Sequence, residues 1–241
     1  MKRRDCFRGV AIAMLGGVLA PAAKVFASDT ESLVLTRIAF GSCAMQWKPQ
    51  PIWEAILASE PELFLFLGDA IYGDFDGERR FEPTRESLQS DWNKLAAQPG
   101  FQALRDRVPV LATWDNHDYG HHNAGTEYAQ KEMTRDLFLD FFAVPEDSIR
   151  RTRDGIYHAV IFGPPGKRIQ IILLDNRWNR GALNEDTRSD EARAALGLSG
   201  SMGHVPNTDP AASLLGERQW QWLESELNKP AEVRLICSGT Q

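Results

Sequence analysis

The sequence predicts a single α/β domain, and three observations carry that reading. Strand-like apolar runs alternate with helical stretches along the 241 residues, with no internal repeat, low-complexity tract or linker between them. Runs such as "PELFLFLGD" and "VPVLATWD" are continuously apolar, the pattern of strands covered on both faces. Five expected strands end in a polar residue or a tight glycine: Ser42-Cys43, Gly68-Asp69, Trp114-Asp115, Asp175 and Ser238-Gly239. Ligands of open α/β sheets bind beyond the carboxyl ends of the strands, so five such ends predict one convergent polar site.

In chain order, Leu33–Cys43 reads as a strand and Pro51 opens a helix over "PIWEAILASE". "PELFLFLGD" is the next strand, and a charged loop follows from Gly73 to Glu82. Thr84 to Ala97 is a helix with Thr84 as its N-cap, "VPVLATWD" a strand, and Tyr128 to Phe142 a helix. "GIYHAVIFGPPGKRIQIILLD" predicts two strands joined by a Pro-Pro-Gly turn. Asn176 to Ser213 lacks an apolar period and reads as a long polar loop. "LLGERQWQWLESEL" is an amphipathic helix, and "AEVRLICSG" a last strand.

The N-terminus reads as an export signal over residues 1–27, leaving 28–241 as the domain. "MKRRDCFR" is a basic start, "GVAIAMLGGVLAPAA" a short apolar stretch, and Ala27 a small-residue cleavage position. The apolar stretch is too short and glycine-rich for a permanent membrane span. Arg3-Arg4 with Phe7 approximates a twin-arginine motif with one residue too many, so twin-arginine and general export machinery are both expected partners. Either route makes the protein periplasmic or secreted. Without the five basic and one acidic side chains of 1–27, the 27 basic and 33 acidic groups become 22 and 32, a net of −10. That charge, with no basic run after residue 28, excludes nucleic acid as a partner class.

With Cys6 inside the signal, Cys43 and Cys237 remain, and two readings stand: a disulfide, or Cys43 as a thiolate ligand. At the strand ends, Asp69 follows Gly68 at a sharp turn, with Tyr72 in the same turn. In "ATWDNHDYG", Asn116 offers a neutral carbonyl oxygen to a hard cation, and His117 can donate to a developing anion or protonate a leaving oxygen. Asp118 is expected behind His117 as the carboxylate that orients it. His121 and His122, past Gly120, read as loop residues, and Trp47, Trp114 and Trp178 as packing residues or stacking platforms.

"FGSC", "GDAIYGD", "WDNHDYG", "LLDNR", "LLGERQWQWLESEL" and "SGTQ" occur in the order found in the alkaline phosphatase D (PhoD-like) family of metallophosphatases, which the chain resembles from about residue 37 to 241. The Gly-Asp-x-x-Tyr and Asn-His-Asp pieces are similar to those of purple acid phosphatases and the calcineurin-like superfamily. The resemblance implies a metallophosphatase-like α/β sandwich of mixed sheets flanked by helices. It implies hydrolysis of phosphate monoesters, diesters or both at a dinuclear or multinuclear centre of ferric iron with calcium or another divalent cation. Cys43, Asp69, Tyr72 and Asn116 would then hold metal, Asp69 as the bridge. His117, Asp118 and Arg177 would serve the phosphate, although a structural salt bridge is an equal reading of Arg177. Asn116 stands where the family more often has aspartate, which lowers the site's negative charge by one. In such a centre, cations ~3.5–4 Å apart clamp the phosphoryl group and lower the pKa of water to about 7, giving the hydroxide that attacks phosphorus.

Members of the family carry a Gly-Asp-x-His motif after the "SGTQ" strand, whereas this sequence stops at Gln241. The domain is therefore expected to be C-terminally truncated. The alternative to an enzyme is an inactive truncated homologue that binds phosphate or lipid headgroups.

Overall fold

The computed structural model describes residues 30–121, 123–197 and 203–240; the expected export signal lies outside them. Its elements run β1 (Ile38–Gly41), α1 (Ile52–Ala58), β2 (Leu63–Leu67), α2 (Arg85–Ala96), α3 (Pro99–Arg107), β3 (Val110–Thr113), α4 (Asn116–Tyr119), α5 (Lys131–Phe141), β4 (His158–Phe162) and β5 (Ile169–Leu173). They continue through β6 (Asn184–Glu185), α6 (Asp190–Ala195), β7 (His204–Val205), α7 (Glu217–Leu227) and β8 (Val233–Cys237).

Two three-stranded sheets form the centre. β1, β2 and β3 are parallel in that order. In the second sheet β5 is the middle strand, antiparallel to β4 and parallel to β8. The period-2 alternation of strand side chains explains why both sheets needed continuous apolar runs. Leu63 and Leu65 of β2 meet Phe162, Ile171, Leu173 and Cys237 of the other sheet. Phe64 and Phe66 point the other way, into helices α1, α2, α3 and α5 through Trp53, Trp92, Phe101 and Phe138. Ile172 of β5 faces outward onto Leu215 and Leu223, under α7. The layers are helix, sheet, sheet, helix: the expected α/β sandwich.

Thr84 caps α2 as expected, its side chain accepting from Ser87 N–H while Ser87 Oγ accepts from Thr84 N–H. Several boundaries differ from the sequence reading. The first strand is only Ile38–Gly41, although Leu35 still enters the core between the sheets. The helix expected from Tyr128 begins at Lys131; Tyr128 is buried ahead of it, against Tyr119. Three helices were not expected, α3, α4 and the α6 of the long loop. α3 opens on Pro99 and buries Phe101 and Leu104, and α4 is a single turn over the Asn-His-Asp stretch. The polar loop from Asn176 to Ser213 contains the short ribbon of β6 and β7 and the Ser189-capped helix α6.

Cys43 and Cys237 are both free, so the disulfide reading is not realised. Cys237 is buried between the sheets, and burial pushes its thiol up to about 11. Cys43 is exposed beyond the end of β1, beside Asp69.

Candidate active site

The parallel strands deliver their carboxyl ends to one rim, where side chains from all five expected strand ends meet. Cys43 follows β1, and its Sγ lies 3.6 Å from Asp69 Oδ2, beyond β2. Asp69 Oδ1 accepts from the backbone N–H of His117, beyond β3, at 3.3 Å. The second sheet joins through Asp115 and Arg177: Nε lies 2.8 Å from Asp115 Oδ1, and Nη2 pairs with the same oxygen. Asn176, after β5, donates to Ser238 Oγ after β8, and Arg177 Nη2 donates to Thr240 Oγ1 at 3.1 Å.

Two glycines permit this closeness. Gly68 has φ +97°, and a Cβ there would fall 2.6 Å from the Asp115 Cβ. At Gly239 a Cβ would fall 2.6 Å from the Trp114 carbonyl oxygen. Cys43 (φ 61°) and Asp69 (φ 51°) are themselves left-handed without being glycine. That conformation costs on the order of 1 kcal/mol per residue, and the surrounding hydrogen bonds must hold it. Cys43 N–H donates to Gly68 O at 3.3 Å and Ala44 N–H to Asp69 O at 2.9 Å, which keeps the two loops in register past the sheet.

Burial first, and the neighbouring Asp115 second, hold the Asp69 carboxyl above its ordinary range. Tyr72 is buried, and its hydroxyl meets the Cys43 sulfur; burial, Asp69 and Cys43 together raise its pKa. The Tyr72 backbone is clamped by Gln46, whose Oε1 accepts from Tyr72 N–H at 2.9 Å. The His117 ring stacks on Tyr72 with centroids 4.1 Å apart, and its Nδ1 is paired with Asp74 Oδ1. Asn116 is half-buried at the first position of α4. Cys43, Asp69 and Tyr72 have side chains in contact on this rim, and Asn116 stands beside His117 at its edge.

The orienting role expected of Asp118 falls to another carboxylate. Asp118 is fully buried, with Oδ1 accepting from Ile71 N–H and Oδ2 from Asp115 N–H, each at 3.0 Å. It ties the β2 and β3 loops together, and Asp74 is the carboxylate on the imidazole. The reason is helical geometry: on the single turn of α4, Asp118 follows His117 directly and neighbouring side chains diverge. Of the two readings of Arg177, the salt bridge is the contact present. The guanidinium is buried on Asp115, with Nη1 lacking a hydrogen-bond partner among the described residues.

Asp74 and Gln46 are residues at the site that sequence reasoning passed over, and Asp115 and Asp175 were read as polar strand ends without a partner. Asp74 stands in the second Gly-Asp of "GDAIYGD", five residues after the first, and that doubling was the available signal. Asp175 accepts Trp114 Nε1–H and the N–H groups of Ile156, Arg177 and Trp178, which fixes the end of β5. His121 pairs with Glu82 at 2.8 Å on an exposed loop, and His122 lies outside the described residues. Trp114 and Trp178 are buried and stacked on each other, and Trp47 packs edge-on to Tyr72 and Phe75.

The profile of PhoD-like phosphatases matches residues 38–236, which takes in every element from β1 to β8. The chain belongs to the PhoD-like phosphatase family. Among curated proteins none matches the sequence. A solved structure of PhoD is similar in fold, with a TM-score of 0.59 at 19% identity over 87% of this chain. The aligned part is 42% of that protein's chain, so this chain spans less than half of that PhoD.

The donor set fits a cation. A thiol, a phenol and a carboxyl group converge, and the carboxyl group is poorly solvated beside a second carboxylate, a combination that a bound cation relieves. No group of three or more His, Cys, Asp or Glu side chains forms among the described residues. Cys43 is in contact with both Asp69 and Tyr72, and Asn116 lies beside His117 at the start of α4.

Proposed function

We propose that the chain carries the phosphoester-hydrolysing site of an exported, metal-dependent PhoD-like phosphatase. The observation behind this reading is the meeting of Cys43, Asp69 and Tyr72 with the His117–Asp74 pair at the joined strand ends. Cys43 and Tyr72 would offer a thiolate and a phenolate, ligands that suit ferric iron, and Asp69 would add its carboxylate. Asn116 offers an uncharged oxygen to a second cation, calcium or another divalent ion. When bound, the metals supply Lewis acidity toward the phosphoryl oxygens and toward water.

The protein's own groups do the rest. Asp74 accepts a hydrogen bond from His117 Nδ1–H, and Nε2 is the nitrogen that would exchange a proton with a phosphoryl or leaving-group oxygen. Stacking on Tyr72 restricts rotation of the ring, so its position is set before substrate arrives. Arg177 acts by holding Asp115 against the β2 loop, where the Asp115 charge raises the proton affinity of Asp69. The substrate is a phosphate monoester, a diester or both, met outside the cytoplasm. No helix among the described residues is long and apolar enough to cross a membrane.

Metal analysis of the mature chain, with p-nitrophenyl phosphate and bis-p-nitrophenyl phosphate as substrates, tests the reading. Iron in the purified protein and turnover of either ester support it. Protein that binds phosphate but holds no iron and turns over neither ester would replace it with the binding-protein alternative.

A further inference from the structure

The flank where the edge strands β3 and β4 meet encloses a cavity of about 410 Å³ that shares no side chain with the active site. Its walls are apolar: Leu111 of β3, Val160 of β4, Phe138 and Phe142 at the end of α5, and Val144. Arg150 and His158 also line it. Arg150 Nε is buried without a hydrogen-bond partner among the described residues. No carboxylate is among the charges that act on its guanidinium; burial, then Arg153 and Arg151, bring it down to about 10. The neighbouring acids serve another arginine, since Asp140 and Glu146 lie 2.7 and 3.6 Å from Arg151. His158 is held uncharged by burial and by Arg150 and Arg153, and Asp147 is exposed where it lines the cavity.

A cation desolvated in an apolar chamber without a counter-charge is unfavourable unless an anion joins it. One such cation beside a neutral imidazole matches a single negative charge, and the surrounding Phe and Val side chains match a hydrocarbon tail. We propose that this cavity is a second ligand site, which takes a small monocarboxylate with its head on Arg150 and its tail against Phe138, Phe142, Val144 and Val160. A guanidinium–carboxylate pair formed away from water is the strong, charge-assisted kind.

Calorimetric titration of the mature chain with octanoate and octanol tests this, with Arg150→Gln and Arg150→Lys beside the wild type. Octanoate should bind the wild type about tenfold or more tighter than octanol. That preference should vanish in Arg150→Gln and persist in part in Arg150→Lys, with phosphoester turnover unchanged in both. Equal binding of octanoate and octanol, no binding of octanoate, or undiminished binding in a folded Arg150→Gln would each overturn the proposal. If Arg150→Gln does not fold, the comparison of octanoate with octanol on the wild type decides.

Discussion

The imidazole of His117 rests on Asp74, a carboxylate that reaches it from the β2 loop, 43 residues away in sequence. Asp74 is 1% exposed, and its second oxygen has no hydrogen-bond partner among the described residues, so the pair is built around one strong contact. Its placement makes Asp74 a positioning residue for His117. Replacing Asp74 with Asn keeps shape and removes charge. It should lower kcat about 10²-fold with little change in KM, and His117→Ala should lower it by about 10²–10⁴. Both variants should keep their metal. A fall in iron content that parallels the fall in kcat would assign the pair to metal binding instead.

Cys43 and Cys237 differ in accessibility as sharply as two thiols can. Cys43 is exposed at the site, and Cys237 is buried between the sheets with its pKa pushed up to about 11. In metal-free protein, iodoacetamide should label Cys43 alone without prior reduction, read by peptide mass. Iron loading should protect Cys43, and Cys43→Ser should lose iron together with thiolate-to-iron absorption. Labelling that proceeds at the same rate with iron present would remove Cys43 from the ligand set.

Arg177 and Asp115 form the ion pair that joins the two sheets at the rim, with side-chain exposures of 4% and 15%. Removing one member of such a pair leaves the other charge buried and unmatched, a cost of about 3–5 kcal/mol. Arg177→Met should therefore lower Tm substantially, and adding Asp115→Asn to it should recover part of the loss. Denaturant midpoints of the four proteins in the cycle measure the coupling. Additive losses would show that the pair is not coupled in this way.

Much of this arrangement was legible because it follows from strand periodicity and turn chemistry. The continuous apolar run at Leu63–Leu67 required cover on both faces, and the structure supplies helices on one side and the second sheet on the other. Gly68-Asp69 was readable as a strand-end turn because glycine lets the backbone turn sharply, and the structure adds that a Cβ at Gly68 would strike Asp115. The partner of His117 was not legible. Adjacency in sequence favoured Asp118, but the single turn of α4 sends that side chain to the backbone of Ile71. Asp74 lies in a loop with no periodicity to place it, so only the tertiary fold brings it to the ring. Helix α3 was missed for a related reason: its short stretch buries Phe101 and Leu104 but leaves mostly polar residues on view.

His158 gives the fold a pH dependence that can be separated from that of its acids. Burial, with Arg150 and Arg153 close by, brings its pKa from an ordinary 6.5 down to about 3. The folded protein therefore binds fewer protons there than the unfolded chain between those two values. Stability rises with pH across that window and is lost as pH falls below about 6.5. Glu232 and Asp186 are each held at about 2 by hydrogen bonds from Arg168 and Arg188, so they weaken the fold only below about pH 4.5. Between pH 6.5 and 4.5 the His158 contribution stands largely apart from theirs, and it amounts to roughly 2 kcal/mol over that interval. Asp69 and Asp118, raised by burial, act in the opposite sense in both proteins, so as pH falls denaturant midpoints should drop more in the wild type than in His158→Phe, which keeps the ring volume without the titrating nitrogens. An equal slope in the two proteins would place the proton uptake on another group.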